Sequence, residues 1–352
     1  MTRRVGTDTS KFPGAAELGA IGTLERIAAL GLDGAFFRSA FELSPTLDAG
    51  ELSAVADAAV DLDLYLEVGV AKVNPFATPE APQIRALGEG DYLLGMARII
   101  RAVTAVGISE LWTATANYQF RIRGLYACDR FRTDVDWADQ LAATAKVLDR
   151  LAPLLRETGA HLNIETHEEI SSFEVVRLVE DAGPDAFGIT FDTANVLVRG
   201  EDPVAAARRV APYTRSTHVR DVALHRTDDG IGRFLAPVGR GVIDWAALLG
   251  ELDHGGATSN LSIEGVIGMN AEMPLFVDDP RWWAAHPDLT REEFTVVEAL
   301  TADYEQRAAV GEVPALAELR RPVDSGQALA FITDSAAALR AALAAREPAI
   351  AG

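Results

Sequence analysis

The chain contains one cysteine, Cys128, in 352 residues, and this scarcity excludes an internal disulfide. A chain without a disulfide fits a reducing compartment, and its first residues lack the apolar core of a signal peptide. No apolar run reaches the roughly 20 residues that a membrane-spanning helix needs. We therefore expect a cytoplasmic protein without membrane contacts.

Positive charge is also scarce. Lysine and arginine together number 32 against 52 aspartates and glutamates, so the formal net charge is -20. Such a surface has no basic patch to neutralise phosphates, which argues against a nucleic-acid partner and against a nuclease. Lysine occurs only as Lys11, Lys72 and Lys146, and the first two lie near the ends of predicted strands.

Short β-rich runs alternate with helical patterns roughly every 30 residues. The predicted strands are Val5–Asp8, Ala35–Arg38, Leu64–Val70, Leu111–Ala116, His161–Glu165, Phe187–Asp192, Arg215–Val219 and Asn260–Glu264. Eight such units are what closure of a parallel barrel requires, so we predict an α/β fold, a (β/α)8 TIM barrel, over residues 1–265. Residues 266–352 break the pattern and predict a helical extension that packs on the barrel or on a partner subunit.

Two segments between these units look different. After the seventh predicted strand we find no regular pattern, only a turn signal at Asp228–Gly230. The long loop Tyr118–Phe131 is rich in aromatic and arginine residues. It could contact an apolar part of a substrate or form a packed lid.

Four ligand-type residues end four successive predicted strands: Glu165, Asp192, His218 and Glu264. In a closed barrel these strand ends converge on one mouth. A single carboxylate at a strand end is more often a helix cap or a solvated group, but four in succession predict a metal site. Three oxygen ligands with one imidazole favour one divalent ion, with Mn²⁺ expected and Mg²⁺, Co²⁺ or Zn²⁺ as alternatives.

The motifs IETH, FDTAN, GEDP, HVRD and GRGVIDW occur in an order that resembles the xylose isomerase-like superfamily of TIM barrels. The resemblance implies a Glu-Asp-His-Glu metal site on the four residues above. Endonuclease IV, a member of the superfamily, needs extra histidines, whereas this chain has none before His161 and has Asn195 at a later position where one is required. Ketose 3-epimerases also have a histidine at that position, which disfavours simple epimerisation.

A narrower resemblance covers GTDTSKF, GAFFRS, AKVNPFATPEAP, ATANYQFR, DRFRTDVDWADQLAAT and IETHEEISSFEVVRLVE. These segments are similar to the large subunit of bacterial C-glycoside deglycosidases. The resemblance implies a sugar or 3-oxo-glycoside substrate, a metal combined with a histidine base, and a small β-rich partner subunit, with self-association as a further option.

His167 is the candidate base. It follows Glu165 by two residues, which places both on one face of a strand, and its ordinary pKa suits proton transfer near neutrality. The alternative is that His167 only orients Glu165 or the metal. We interpret Glu168 and Glu169 as rim or helix-start residues.

Further polar residues follow predicted strands and are candidates for substrate binding. They are Lys11, Arg38, Lys72, Asn117, Asn195, Asp221 and Arg240. For each of them a salt bridge or a capping role is the alternative.

The sequence leaves three functions open. The first is a metal-dependent lyase that cleaves oxidised C-glycosides. The second is a sugar isomerase or ketose 3-epimerase in which two ligand carboxylates move the proton. The third is a non-catalytic sugar-binding subunit, which the intact set of four ligands disfavours because a scaffold would not require it.

Overall fold

The computed structural model describes residues 3–77 and 81–346. Its strands are Val5–Asp8 (β1), Gly34–Phe37 (β2), Tyr65–Gly69 (β3), Glu110–Thr113 (β4), His161–Glu165 (β5), Phe187–Asp192 (β6), Thr214–Val219 (β7), Asp221–Thr227 (β8), Gly230–Ala236 (β9), Leu261–Ile263 (β10) and Met273–Leu275 (β11). Eight of them close into a parallel barrel in the order β1-β10-β7-β6-β5-β4-β3-β2. The predicted (β/α)8 barrel is confirmed, and its strand bounds differ from the predicted ones by at most three residues.

The helices of the described residues surround the barrel or follow it. They are Ala15–Ala29 (α1), Ala49–Asp61 (α2), Pro82–Leu87 (α3), Tyr92–Thr104 (α4), Trp137–Thr158 (α5), Ser172–Ala182 (α6), Asn195–Val198 (α7), Pro203–Val210 (α8), Trp245–His254 (α9), Pro280–Ala284 (α10), Arg291–Ala309 (α11), Leu316–Leu319 (α12) and Ser325–Ala344 (α13). Within residues 3–77 and 81–346, no helix is long and apolar enough to cross a membrane.

Helix starts follow local capping chemistry. Asp48, Asp91 and Asp202 each accept hydrogen bonds from backbone N–H groups in the first turn of the helix that follows. Ser171 and Glu174 form a reciprocal capping box at the start of α6. These caps fix where each helix leaves the loop above its strand, and therefore where the loop side chains point.

The segment after β7 is a hairpin, and the prediction of an irregular stretch was wrong. β8 and β9 pair antiparallel, with Thr227 opposite Gly230 across a two-residue turn, and β11 pairs with the other edge of β9. All of β9 and most of β8 are buried. A strand buried on both faces shows no alternation of polar and apolar residues, which is why periodicity did not reveal it.

The region after Gly265 contains α10 to α13 and, in addition, strand β11. Helix α13 lies against the barrel strands β1 and β10. Its Ser335 Oγ accepts a hydrogen bond of 3.0 Å from the backbone N–H of Val238, in the loop after β9. Helix α11 covers the hairpin, and the ring of Tyr304 meets that of His225 edge-on at 5.4 Å. Residues 78–80 of the segment AKVNPFATPEAP and residues 347–352 of the predicted extension lie outside the described part of the chain.

The buried carboxylate of Glu67 accepts hydrogen bonds across the interior of the barrel. Glu67 on β3 is 3% exposed and accepts hydrogen bonds from Asn260 Nδ2 at 3.3 Å and from Ser262 Oγ at 3.1 Å. Because β2 and β1 separate β3 from β10 in the barrel, these contacts span the interior rather than joining neighbouring strands. Burial raises the pKa of Glu67 to about 7.

We predict that Glu67 makes folding stability fall as pH rises through neutrality. An unfolded chain releases this proton near pH 4.5, whereas the folded state keeps it up to about pH 7. Stability therefore falls as pH rises over this interval, and above it the folded state carries a buried charge at Glu67. Between pH 5.5 and 8, urea unfolding of Glu67→Gln should show about 2 kcal/mol less loss of stability than the wild type. Glu25→Gln, which changes an exposed glutamate, should behave like the wild type. An unchanged pH dependence in Glu67→Gln would contradict the assignment.

Candidate metal centre and active-site cavity

The four predicted metal ligands meet at the carboxyl ends of their strands. Glu165 and Asp192 end β5 and β6, His218 lies near the end of β7, and Glu264 directly follows β10. The parallel register places His218 beside Asp192 on one side and beside Ser262 on the other. One potential ligand atom from each of the four residues lies within 4.8 Å of the others. None of the four is more than 2% exposed.

Hydrogen bonds orient the carboxylates of this cluster. Trp112 Nε1 donates to one oxygen of Glu165 at 2.9 Å, and His218 Nδ1 lies 3.0 Å from the other. One oxygen of Asp192 accepts from the backbone N–H groups of Ala194 at 2.8 Å and Asn195 at 3.0 Å. The other oxygen of Asp192 is thereby turned toward the cluster, as outer-shell contacts do for metal ligands.

Cationic side chains surround the carboxylates. Lys11 contacts Glu264, Arg38 lies 3.7 Å from it, and Arg220 lies 2.9 Å from its second oxygen while also contacting Asp192. Burial opposes ionisation of Glu264, but Arg220 and Lys11 outweigh it and hold the pKa of this carboxyl well below its usual range. At Asp192 burial outweighs Arg220, and the pKa rises to about 6.

The donor set fits a divalent cation. Three buried carboxylates and one imidazole concentrate negative charge where water cannot screen it, and such groups require a positive partner. One buried oxygen, Glu264 Oε2, accepts no hydrogen bond of regular geometry, although Arg220 Nη2 lies 2.9 Å from it. Oxygen-rich ligands with a single nitrogen suit Mn²⁺, Mg²⁺, Co²⁺ or Zn²⁺, so the residues present are chemically suited to hold such an ion.

His167 lies beside this cluster in a hydrogen-bonded arrangement of its own. Its Nδ1 is 2.5 Å from Glu169 Oε2 and 2.7 Å from Glu168 Oε2. The second oxygen of Glu169 accepts from the Thr115 hydroxyl and the Ala116 N–H, both at 2.6 Å. Because Nδ1 is engaged, Nε2 is the ring nitrogen left to act on a substrate.

The interpretation of Glu169 as a rim or helix-start residue was wrong, whereas Glu168 is partly exposed and lines the cavity described below. Glu169 is fully buried, and α6 begins only at Ser172. Burial disfavours the charged imidazole, but the two carboxylates outweigh it and hold the pKa of His167 well above its usual value. A raised pKa makes His167 a stronger base but leaves a smaller fraction of the imidazole unprotonated near neutrality, so the expectation of an ordinary histidine pKa is not met.

A cavity of about 660 Å³ opens above the cluster. Its lining includes Glu165, His167 and Glu264. The predicted substrate-binding residues that also line it are Lys11, Arg38, Lys72, Asn117 and Asn195. The guanidinium of Arg38 stacks over the Trp112 ring at 5.1 Å. The structure therefore gathers these predicted contacts around one space.

Asp221 and Arg240, also predicted to bind substrate, are not among the residues that line the cavity. Asp221 is fully buried and accepts hydrogen bonds from Trp245 Nε1 and from the backbone of Gly239 and Ile243, at 2.9 to 3.1 Å. These contacts tie the start of the hairpin to the loop before α9. Arg240 is exposed on that loop. Asp221 therefore has the capping role that was the alternative to substrate binding.

Sequence reasoning missed two arginines of the cavity, Arg220 and Arg233. Arg220 follows His218 by two residues, a spacing that keeps both side chains on one face, so it was recognisable. Arg233 lies in β9, and finding it required recognising the hairpin from its Asp-Gly turn signal.

The mouth of the cavity is apolar and open to solvent. Phe120, Ile267 and Met269 line it and are 63%, 70% and 59% exposed. Ile122 and Tyr126, on the same loop as Phe120, are also exposed. The cavity therefore combines a charged floor with an apolar rim.

Fold and site together define a (β/α)8 barrel with a metal-capable centre at its carboxyl mouth. The family model of the xylose isomerase-like TIM barrel matches residues 24–293. The chain belongs to this family.

Curated relatives match over shorter stretches. The uncharacterized protein YihM of Escherichia coli (strain K12) is 28% identical over 32% of this chain, and inosose dehydratase of Lacticaseibacillus casei is 26% identical over 38%. The matches span 35% and 48% of those two proteins, so the chain covers less than half of the length of either.

Solved structures match over most of the chain. A D-psicose 3-epimerase has a TM-score of 0.59 at 16% identity and covers 99% of this chain and 100% of its own. The 3-keto-D-glucoside 4-epimerase YcjR of E. coli has a TM-score of 0.56 at 15% identity, covering 80% and 99%. A xylose isomerase-like barrel of Mycobacterium smegmatis in complex with magnesium has a TM-score of 0.57 at 14% identity, covering 86% and 98%. At these identities the likeness concerns the fold.

We predict that Glu264→Gln and Asp192→Asn each lose the bound divalent ion. Either change removes a charged ligand, so metal affinity should fall by more than the roughly 10- to 100-fold typical of losing an outer-shell partner. Elemental analysis after dialysis measures the occupancy. Glu67→Gln, a buried carboxylate of the barrel interior, should retain the ion. Unchanged occupancy in both ligand variants would rule out the site.

Proposed function

We propose that the chain is the catalytic subunit of a metal-dependent lyase that cleaves 3-oxo-C-glycosides. The observation that carries this proposal is the position of His167, which lines the same cavity as the metal-capable cluster and is held by the buried Glu169. This combination provides a base beside a site for positive charge. Those are the two requirements for removing a hydrogen next to a ketone.

In the reaction we propose, His167 Nε2 takes the hydrogen on carbon 2 of a 3-oxo-glycoside as a proton. A divalent cation in the four-ligand site would supply the positive charge that makes this hydrogen acidic. The electron pair of the broken C–H bond forms a double bond between carbons 1 and 2. The bond from carbon 1 to the aglycone then breaks, and its electron pair leaves with the aglycone carbon.

The remaining residues have roles in binding and proton placement. The departing aglycone carbon takes up a proton, which the imidazolium of His167 can return, so the reaction needs no further reactant. Glu169, held by Thr115 and Ala116, keeps Nδ1 occupied and Nε2 directed to the substrate. Lys11 and Arg38 lie where they can bind sugar oxygens.

The shape of the cavity favours a glycoside over a free sugar. Its floor is lined by charged groups, while Phe120, Ile267 and Met269 give it an apolar rim. A sugar fits the first environment and an aromatic aglycone fits the second, because stacking and burial of apolar surface stabilise such a ring. The names of two similar proteins agree with this chemistry, since one is a dehydratase and the other acts on a 3-keto-glucoside.

The second candidate is an isomerase or ketose 3-epimerase that uses the same metal site. It is favoured by the fold, since the D-psicose 3-epimerase is similar over the whole length of the chain. In this case Glu165 and Glu264, both in the cluster, would move the proton between two faces of one carbon. The apolar rim would then have no role.

We further propose that the native metal is Mn²⁺ and that a small β-rich subunit joins this chain. The exposed apolar side chains Phe120, Ile122 and Tyr126 of one loop offer a surface for such a partner near the cavity mouth. Purification from native cells tests this: a small β-rich protein should accompany the chain, whereas a homo-oligomer active alone on free ketoses contradicts it.

The proposed activity predicts release of an aromatic aglycone from a 3-oxo-C-glycoside. The Mn²⁺-loaded protein, with its partner where one co-purifies, is incubated with this substrate and with free ketoses, and the products are separated by chromatography. We expect aglycone together with an unsaturated 3-oxo sugar. Epimerised ketose without aglycone release would contradict the lyase and support the second candidate.

Replacing His167 by alanine should lower the rate of aglycone release by about 10²- to 10⁴-fold, since it removes the base. The bound metal should remain, because His167 is not one of the four ligands. His161→Ala, at the opposite end of β5, serves as the matched control and should keep its activity. Full activity of His167→Ala with the metal still bound would remove this residue from the proposed role.

A further inference from the structure

Two buried arginines share one amide in the wall of the cavity. Arg220 Nη2 donates to Asn195 Oδ1 at 3.2 Å, and Arg233 Nη2 lies 3.5 Å from the same oxygen. All three side chains line the cavity, and Arg220, Asn195 and Arg233 are 4%, 1% and 0% exposed. Two like charges therefore converge on a single neutral acceptor away from water.

Donor atoms of this group lack partners. Arg220 Nε, Arg233 Nε and Asn195 Nδ2 are buried without a hydrogen bond. A buried donor left unpaired is destabilising, and more so when it belongs to a charged group. Three such donors around one amide indicate a site built for an acceptor that is supplied from outside the chain.

Within the described residues no carboxylate lies within salt-bridge distance of Arg233, and Glu168 and Asp192 attract its charge from farther away. Its other polar neighbours are the sulfur of Met273 at 2.8 Å and the carbonyl of Ala271 at 3.4 Å. Burial, and then repulsion by Arg220, lower the pKa of Arg233 to about 10. A buried charge without a directly paired carboxylate is costly, so a negative partner from outside the chain would stabilise Arg233.

The metal ion would increase this imbalance. Arg220 pairs with Asp192 and Glu264, two of the four proposed ligands. A divalent cation held by the same carboxylates would compete with Arg220 for their negative charge. The need for an external anion is therefore greater in the metal-loaded protein.

We propose that Arg220, Asn195 and Arg233 form a subsite for an oxyanion group of the substrate, a carboxylate or a phosphate. The proposal rests on the proposed function in that the anion is a substituent of the sugar derivative bound beside the metal. The planar guanidinium fork suits either group, since both present paired oxygens to parallel N–H donors. The subsite would select charged sugar derivatives over neutral ones.

Equilibrium binding tests the subsite without requiring turnover. D-Glucose, D-glucuronate and D-glucose 6-phosphate are titrated into the Mn²⁺-loaded protein by calorimetry. We expect at least one acidic sugar to bind about tenfold or more tightly than D-glucose, and the tighter of the two identifies carboxylate or phosphate as the preferred group. Equal binding of all three sugars would overturn the proposal, and this comparison needs no variant.

The variant Arg233→Met tests whether the preference for an acidic sugar arises at this subsite. It should abolish the preference, so that the acidic sugar binds this variant no more tightly than D-glucose does. Arg240→Met, which changes an exposed arginine outside the cavity, should keep the preference. A preference that persists in Arg233→Met would place the anion elsewhere, for example on the metal, and would overturn the proposal. Failure of the lyase assay with an intact acidic preference would reject the proposed reaction but not the subsite.

Discussion

The arrangement depends on one electrostatic constraint, the convergence of the buried side chains of Glu165, Asp192 and Glu264 with His218 at the floor of the cavity. Buried carboxylates at this spacing repel one another, so the surroundings must supply positive charge. Arginine and lysine side chains do so on one side, and the remaining demand makes the centre suitable for a divalent ion. The barrel provides the rigidity, because each ligand sits on or directly after a hydrogen-bonded strand.

Around this centre, different elements supply different chemistry. The loop after β5 carries a histidine whose ring is fixed by the buried carboxylate of Glu169. The hairpin β8–β9 brings Arg233 over the cavity from a part of the chain outside the eight barrel units. The loops after β4 and β10 contribute an apolar rim. A common barrel is thus adapted by its loops and by one inserted sheet, as this fold allows.

Much of this was accessible from the sequence, and the failures have identifiable causes. The barrel strands and the four clustered residues were predicted because the carboxyl ends of parallel strands all meet at one mouth of a closed barrel. Glu169 was misjudged because its partners, Thr115 and Ala116, come from the loop after the neighbouring strand β4, more than fifty positions away. The hairpin was missed because burial on both faces removes the polarity pattern that marks a strand.

The sequence by itself determined the fold class, the closing of the barrel and the meeting of the four ligand-type residues, since strand periodicity and chain order suffice for these. Only the tertiary structure decided which polar groups are paired. It joined Asp221 to Trp245 and Glu169 to Thr115, and it left Arg233 buried without a carboxylate within salt-bridge distance. Pairing depends on distances of a few ångströms between segments remote in the chain, and local sequence carries no record of those distances.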